Sequence, residues 1–358
     1  MLVSVIVPVY NAADYLSESL ECLLVQTYRP LEVVFVDDAS SDGSLWKLQA
    51  WKPIAVSKGI SVVIASNFQN RGPGYTRNEA VRHSSGRVIC HFDADDKMHP
   101  ERIALQVDHY QTLSPDERDF HLMGTGFDRT PPESTPYYTE WLNKLCTPEQ
   151  LHQQCFRECT LICPSWMYSR AVFDRIAAHR CSSGAFVESS EHVLAAAQIS
   201  RVPEDLYFFL DHLLLQGKLS RVSQSLITYR YTPNGWSLGS KRLDLQKVRA
   251  RYLEVMVLDQ WPSFQIWGYG KDGRKFLKLI APKSCAKVSA FLDVDDKKIS
   301  LGQFYCSEAR KNIPIKHFRD STGDPIIICV ASKRTLGLLE ANIAQLGLRE
   351  GLDFYHFA

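Results

Sequence analysis

Apolar residues in the first hundred positions gather into short unbroken runs, and leucines at helical spacing fill the gaps between them. Val3 to Val9 is one run, Leu31 to Val36 a second, Ser61 to Ala65 a third and Val88 to Phe92 a fourth. Each has the length of a strand buried on both faces and is too short for a helix. Leu16, Leu20, Leu23 and Leu24 follow the first run at helical spacing. Leu45, Leu48 and Trp51 do the same after the turn-forming Ser40-Ser41-Asp42-Gly43, and residues 74–84 read as a further helix. Strand and helix in strict alternation predict a largely parallel sheet with right-handed crossovers. In such a sheet the polar residues at the strand ends, Asn11, Asp37, Asp38, Asn67 and Asp93, share the rim where open α/β folds take their ligands.

Beyond residue 113 the pattern changes. Residues 114–148 are rich in proline, threonine and charge and read as loops around a less regular half-domain. A basic, amphipathic stretch, residues 241–258, reads as a linker helix. Phe264 to Gly273 then opens a second α/β unit, with strand-like runs at residues 288–292 and 326–330. A chain of 358 residues exceeds one ordinary core, so the expected division is residues 1–240, a linker at 241–261, and a smaller domain at 262–358.

Composition, 45% hydrophobic and 23% charged, is that of a globular protein. No apolar run is long enough for a bilayer span and the chain opens directly on a strand-like run, so the expectation is a cytoplasmic protein with no membrane partner. Ten scattered cysteines, several in apolar runs (Cys90, Cys163, Cys329), do not form a disulfide framework. His152, Cys155, Cys159 and Cys163 recur at helical spacing but miss the paired spacings of structural zinc sites, which favours core thiols. The net charge of +1 is unevenly spread: residues 241–358 carry 20 basic and 13 acidic residues, residues 1–240 carry 21 and 27. A basic tail on an acidic body points to a polyanionic partner.

The run Phe92-Asp93-Ala94-Asp95-Asp96 delivers three carboxylates at one strand end. Carboxylates that close repel one another unless a cation sits among them, and hard oxygen ligands suit Mg²⁺ or Mn²⁺ shared with substrate phosphates. Taken together with Val5-Ile6-Val7-Pro8-Val9-Tyr10-Asn11, Val36-Asp37-Asp38-Ala39-Ser40-Ser41-Asp42-Gly43-Ser44 and Asn70-Arg71-Gly72-Pro73-Gly74-Tyr75-Thr76-Arg77-Asn78, this run resembles the family 2 inverting glycosyltransferases of GT-A fold. The resemblance implies an α/β GT-A nucleotide-sugar-binding domain with a mixed, mainly parallel sheet and a UDP-sugar donor. It puts Pro8, Tyr10, Asn11, Asp37, Asp38, Asn70, Arg77, Asp93 and Ala94 around the nucleotide, with Arg77 on the diphosphate. It makes Asp95, with Asp93, the ligand of Mn²⁺ or Mg²⁺, and Asp96 a supporting residue. Val202-Pro203-Glu204-Asp205 is similar to the family's Glu-Asp motif, which implies Asp205 as catalytic base and Glu204 as its orienting neighbour. Two departures stand out. Thr232 occupies a position where members commonly carry histidine, and Glu204 lies twenty residues beyond Gly184, a gap that implies an insertion within residues 181–201.

The tail carries Gly268-x-Gly270-x-x-Gly273 with Asp293 twenty residues on, formally a dinucleotide fingerprint. An NAD-linked oxidoreductase module is one reading of it. The absence of hydride-transfer residues and the basic turn Lys271, Arg274, Lys275 favour a Rossmann-like accessory domain. The pairing of both halves is similar to the enzymes that add galactose from UDP-galactose to queuosine at the wobble position of tRNA-Tyr. That resemblance implies tRNA as partner; the basic tail then puts Lys241, Arg242, Lys247, Arg249, Arg251, Lys271, Arg274 and Lys275 on its backbone, and recognition of a splayed loop makes Trp166 or Trp236 candidates for stacking the acceptor. Transfer of N-acetylglucosamine from UDP-GlcNAc to a galactoside in β-1,3 linkage is the alternative.

Overall fold

A computed structural model describes residues 1–181, 184–186, 203–232, 241–331 and 335–357. The chain divides into two compact units, one of residues 1–151 and 160–241, the other of residues 152–159 and 242–358.

The first unit is built on an eight-stranded sheet. Its strands are β1 (Val3–Val9), β2 (Leu31–Asp37), β3 (Ile60–Ser66), β4 (Val88–His91), β5 (Lys97–Met98), β6 (His121–Thr130), β7 (Met167–Ser169) and β8 (Lys218–Arg230), ordered β3-β2-β1-β4-β7-β6-β8-β5. The four expected strands lie side by side and parallel, β1 pairing with both β2 and β4. β1 and β2 are almost wholly buried because helices cover both faces, which is why their sequences run apolar without alternation. Helix Ala13–Leu24 turns Leu16, Leu20 and Leu23 to the core, and Trp51 of helix Ser44–Ser57 meets Phe35 edge-on at 5.6 Å.

The stretch expected as loops holds a ten-residue strand instead. β6 runs between β7 and β8, antiparallel to one and parallel to the other. Its sequence, HLMGTGFDRT, conceals this because glycine is a poor strand former. Packing explains Gly124: a Cβ there would lie 2.7 Å from Leu161 Cδ2.

In the second unit β9 (Phe264–Trp267), β10 (Val288–Asp293), β12 (Lys311–His317), β13 (Ile326–Ile328) and β14 (Phe354–His356) are parallel, with β11 (Gln303–Cys306) antiparallel at the edge. The order β11-β12-β10-β9-β13-β14 is doubly wound about β9. Gly273 is obligatory here, since a Cβ would lie 2.0 Å from the Gly268 carbonyl oxygen. The stretch expected as a linker belongs to this unit: helix Arg242–Leu253 buries Val248, Ala250, Tyr252 and Leu253. So does the segment 152–159. Gln153 Nε2 donates to the Glu350 carbonyl at 2.9 Å, Gln154 Nε2 to Glu350 Oε1 at 2.5 Å, and Phe156 meets Tyr355 edge-on at 5.5 Å.

Candidate active site

Three loops meet at the carboxyl ends of β1 to β3. Asn11, at φ +47, accepts from Ser41 N through Oδ1 at 2.9 Å and donates its own N–H to Ser40 Oγ at 2.9 Å. The turn chemistry of residues 40–44 caps the preceding helix: Ser44 Oγ accepts from Ala12 N and Asp42 Oδ2 from Ala13 N, each at 2.9 Å. Asp38 is buried and committed. Its carboxylate accepts from Asn67 Nδ2 at 2.6 Å, Arg71 N at 3.0 Å and Gly72 N at 2.8 Å, so it fastens the loop 67–72. Asp37 differs. Oδ2 accepts from Ser40 N at 3.1 Å, while Oδ1 is buried with no partner among the described residues, an acceptor waiting for a donor. Tyr10 is 53% exposed beside this rim, Pro8 is half-buried, and Asn70 is exposed on the loop.

β4 ends in the acidic turn. Ala94 is buried and its carbonyl accepts from Ser19 Oγ at 3.0 Å. Arg230, at the end of β8, holds the turn by its backbone N–H to Asp96 Oδ1 (2.8 Å) and by Nε to the Asp95 carbonyl (2.7 Å); Glu18 in turn holds Arg230 at 2.7 Å. Burial, then the neighbouring charge of Asp93, pushes the Asp95 carboxyl up to about 6. Burial, Asp95 and Asp93 raise Asp96 further, and its Oδ2 is buried without a partner. Among the described residues no group of three or more histidine, cysteine, aspartate or glutamate side chains forms a self-sufficient metal cage. The donor set fits a hard divalent cation shared with substrate phosphates. Burial and mutual repulsion raise the carboxyls of Asp95 and Asp96, which a cation would relieve, and such ions are commonly held by one or two carboxylates plus phosphate oxygens.

Arg77 corrects the sequence-based expectation. Its side chain is buried, Nη2 pairing with Asp93 at 3.0 Å and Nη1 with Glu204 at 2.5 Å. These ion pairs engage both Nη groups and leave Nε buried without a partner, so in this structure Arg77 links the acidic turn to Glu204 where a diphosphate contact was expected. The bracket ties the acidic turn to the start of helix Glu204–Leu214, more than a hundred residues away in sequence. Burial raises the Glu204 carboxyl although Arg77 pulls it down. Asp205, next in the chain, is half-buried in the first helical turn, where Leu206 N donates to its Oδ1 at 2.8 Å and the helix dipole favours the carboxylate.

A column of aromatic rings fixes this helix. Phe208 stacks on Phe186 at 4.6 Å and on Trp166 at 5.2 Å. Trp166 is fully buried and donates Nε1–H to the Leu161 carbonyl at 2.9 Å, so it cannot stack an incoming base; the acceptor role expected of it is overturned. His91, in the same cluster, bonds Tyr168 OH at 2.8 Å, and burial keeps its ring neutral. Sequence reasoning missed Asn78, whose side-chain amide makes two 2.9 Å bonds to the backbone of Phe186. Its place one residue after Arg77 was the available signal. Trp236 and most of the insertion at 181–201 lie outside the described residues. Thr232 is half-buried.

Of the cations expected on tRNA, Arg242, Arg251, Lys271 and Arg274 are exposed and Lys275 half-buried in the second unit, and Lys241 is exposed at the end of the first. Lys247 pairs with Asp244 at 3.6 Å. Arg249 is buried and bonded to Glu158 and to the Arg157 carbonyl, so it is a structural residue.

Residues 4–177 match the family described as Glycosyl transferase family 2. The match spans just under half of the chain. A Bacillus subtilis glycosyltransferase assigned provisionally to teichuronic acid biosynthesis, TuaG, is 33% identical over 135 residues, 38% of this chain and 50% of that protein. A poly(ribitol-phosphate) beta-glucosyltransferase of Bacillus spizizenii is 37% identical over 106 residues, 29% of this chain and 16% of that protein. The chain thus spans half the length, or less, of these relatives. Among solved structures, S. aureus TarS 1–349 aligns with a TM-score of 0.50 at 18% identity, covering 81% of this chain and 84% of that one. The mannosyltransferase PcManGT of Pyrobaculum calidifontis, in complex with GDP-Man and Mn²⁺, aligns at 0.52 and 17% identity, covering 71% and 64%. These likenesses establish the GT-A-like fold. No described helix is long and apolar enough to cross a membrane.

Proposed function

We propose that the chain is an inverting glycosyltransferase that moves galactose from UDP-galactose to queuosine at the wobble position of tRNA-Tyr. The observation that carries the transferase chemistry is the Asp93–Arg77–Glu204 bracket, which brings the first turn carrying Asp205 to the acidic turn. The basic tail and its resemblance support the acceptor.

In this reading the uridine lies at the ends of β1 to β3, where Asp37 Oδ1 accepts a donor hydrogen and Tyr10 borders the base. Asp95 and Asp93 hold a divalent cation, which when bound supplies positive charge to the departing diphosphate. Asp205 takes the proton of the acceptor hydroxyl as its oxygen attacks the anomeric carbon. The bond from that carbon to the diphosphate breaks on the opposite face, UDP leaves, and the anomeric configuration inverts. Arg77 and Glu204 fix where Asp205 stands.

Against the oxidoreductase reading, Asp293 has no oxygen left for a ribose: it accepts from Tyr269 N at 2.8 Å, Val294 N at 2.9 Å and Lys298 Nζ at 3.0 Å.

The test is incubation with a panel of UDP-sugars, Mn²⁺ and queuosine-containing tRNA, read by the mass of the modified nucleoside. One hexose added from UDP-galactose is the expected result. No addition to tRNA, with N-acetylglucosamine passed from UDP-GlcNAc to a galactoside, would replace this reading with the alternative.

A further inference from the structure

Arg129 stands near the end of β6, paired with Tyr229 of β8. Its guanidinium carbon lies 4.1 Å from the Tyr229 ring centroid, 5.6 Å from that of Phe127 and 5.8 Å from that of Tyr138. The rings brace one another: Phe127 sits 6.2 Å from Tyr138 and 6.4 Å from Tyr229. Stacking of this kind covers the faces of the guanidinium and leaves its in-plane N–H groups to act. Yet among the described residues no hydrogen bond or ion pair engages Arg129, and its Nε is buried without an acceptor. Of the other arginines around the acidic turn, Arg230 is engaged by Asp95 and Glu18, while Arg77 and Arg102 also keep unpartnered N–H groups but on side chains closed off from solvent, whereas Arg129 is half-exposed. Its Nη groups are thus left to meet a ligand oxyanion.

Position identifies the source of the oxyanion. The pair after Arg129–Tyr229 is Thr130–Arg230, and Arg230 N donates to Asp96 Oδ1. Arg129 is therefore beside the acidic turn. In the sheet order it lies three strands from β1, about 14 Å at the usual strand spacing, and away from the β1 to β3 rim that takes the nucleotide.

We infer that Arg129 binds a phosphodiester of a single-stranded RNA acceptor, holding the loop while one nucleoside enters the site. This rests on the acceptor reading given above. A guanidinium lodged against the Tyr229 ring, with Phe127 and Tyr138 nearby, suits two oxygens of one phosphate, a geometry lysine lacks.

The experiment measures, for the full chain, Arg129→Gln and Arg129→Lys, the affinity for UDP with Mn²⁺ and the affinity for tRNA-Tyr between about 50 and 200 mM salt. Arg129→Gln should weaken tRNA binding about tenfold and lower the salt slope by about one, with UDP binding unchanged. Arg129→Lys, which keeps the charge, should restore the slope but only part of the affinity. Equal loss of UDP affinity would give Arg129 to the donor diphosphate and overturn the inference. Unchanged tRNA affinity and slope, with wild-type chain binding tRNA, would overturn it while leaving the acceptor reading intact. A wild-type chain that binds UDP but no tRNA would remove the acceptor reading and the inference with it.

Discussion

Two aspartates end two parallel strands in the two units, Asp37 after β2 and Asp293 after β10, and each follows a strand, turn and helix. Their surroundings separate a rim with an unspent acceptor from one whose acceptors are taken. Asp37 keeps one buried oxygen without a partner. Asp293 is closed on every side, by the amides of Tyr269, Val294 and Asp295 and by Lys298, which reaches both of its oxygens. The glycine turn before it keeps the tight strand-to-helix approach, with Gly268 at φ +107. The glycine spacing thus serves to pack a helix against a strand while the acidic residue is engaged by its own neighbours. What distinguishes the rims is unspent hydrogen-bonding capacity, which the sequence pattern does not record.

The sharpest way to break this contrast is at the base. Asp205→Asn should reduce transfer by about a thousandfold or more while sparing UDP affinity, because amide nitrogen and oxygen cannot take a proton at neutral pH. Retained turnover in a single-turnover assay would remove Asp205 from the chemistry. Next in size, Asp37→Asn should weaken UDP binding by about tenfold or more in calorimetry, since a buried charged acceptor is lost where a donor is to be met. Asp293→Asn should leave UDP binding unchanged and instead lower the thermal stability of the second unit, by about 1–3 kcal/mol. NAD added to the wild-type chain should not shift melting; a shift would reopen the dinucleotide reading of the second rim.

The smallest effect concerns Glu350, whose carboxyl is pushed up to about 7, chiefly by burial, with Arg157 and Gln154 opposing. Its proton is favoured by folding, so this contribution to stability is present at acid pH and lost as pH rises through about 7. Buried His356, held down to about 4 mainly by burial, has the opposite sign and loses stability as pH falls below its ordinary value. Glu350→Gln should therefore stabilise the second unit by about 1–2 kcal/mol at pH 8 and have no effect at pH 4, read by denaturant melts at both.

Much of the donor rim was legible in the sequence. Buried parallel strands announce themselves by unbroken apolar runs, and their carboxyl ends follow from the order of elements. β6 was not legible, because its glycines are there for close packing, Gly124 against Leu161 and Gly126 against the backbone of Ser223 and Gln224, and suppress the strand signal. Arg77 was identified as a functional residue but given the wrong partner. A charge at the start of a helix signals an anion site, and only the fold shows that Asp93 and Glu204 already fill it. Trp166 was misplaced for a like reason: an aromatic residue near a site carries no mark of which side of the sheet it faces, and this one lies inside the ring column.

The short segment 152–159 gives the chain an awkward birth. It is made early, but its partner Glu350 lies 197 residues beyond Gln153. At ribosomal speeds of about 5–20 residues per second, Phe156 and its neighbours wait roughly 10–40 s for the surface that will cover them. A fragment ending at residue 241 would wait indefinitely, with Cys155 and Phe156 left uncovered in the middle of an otherwise finished domain.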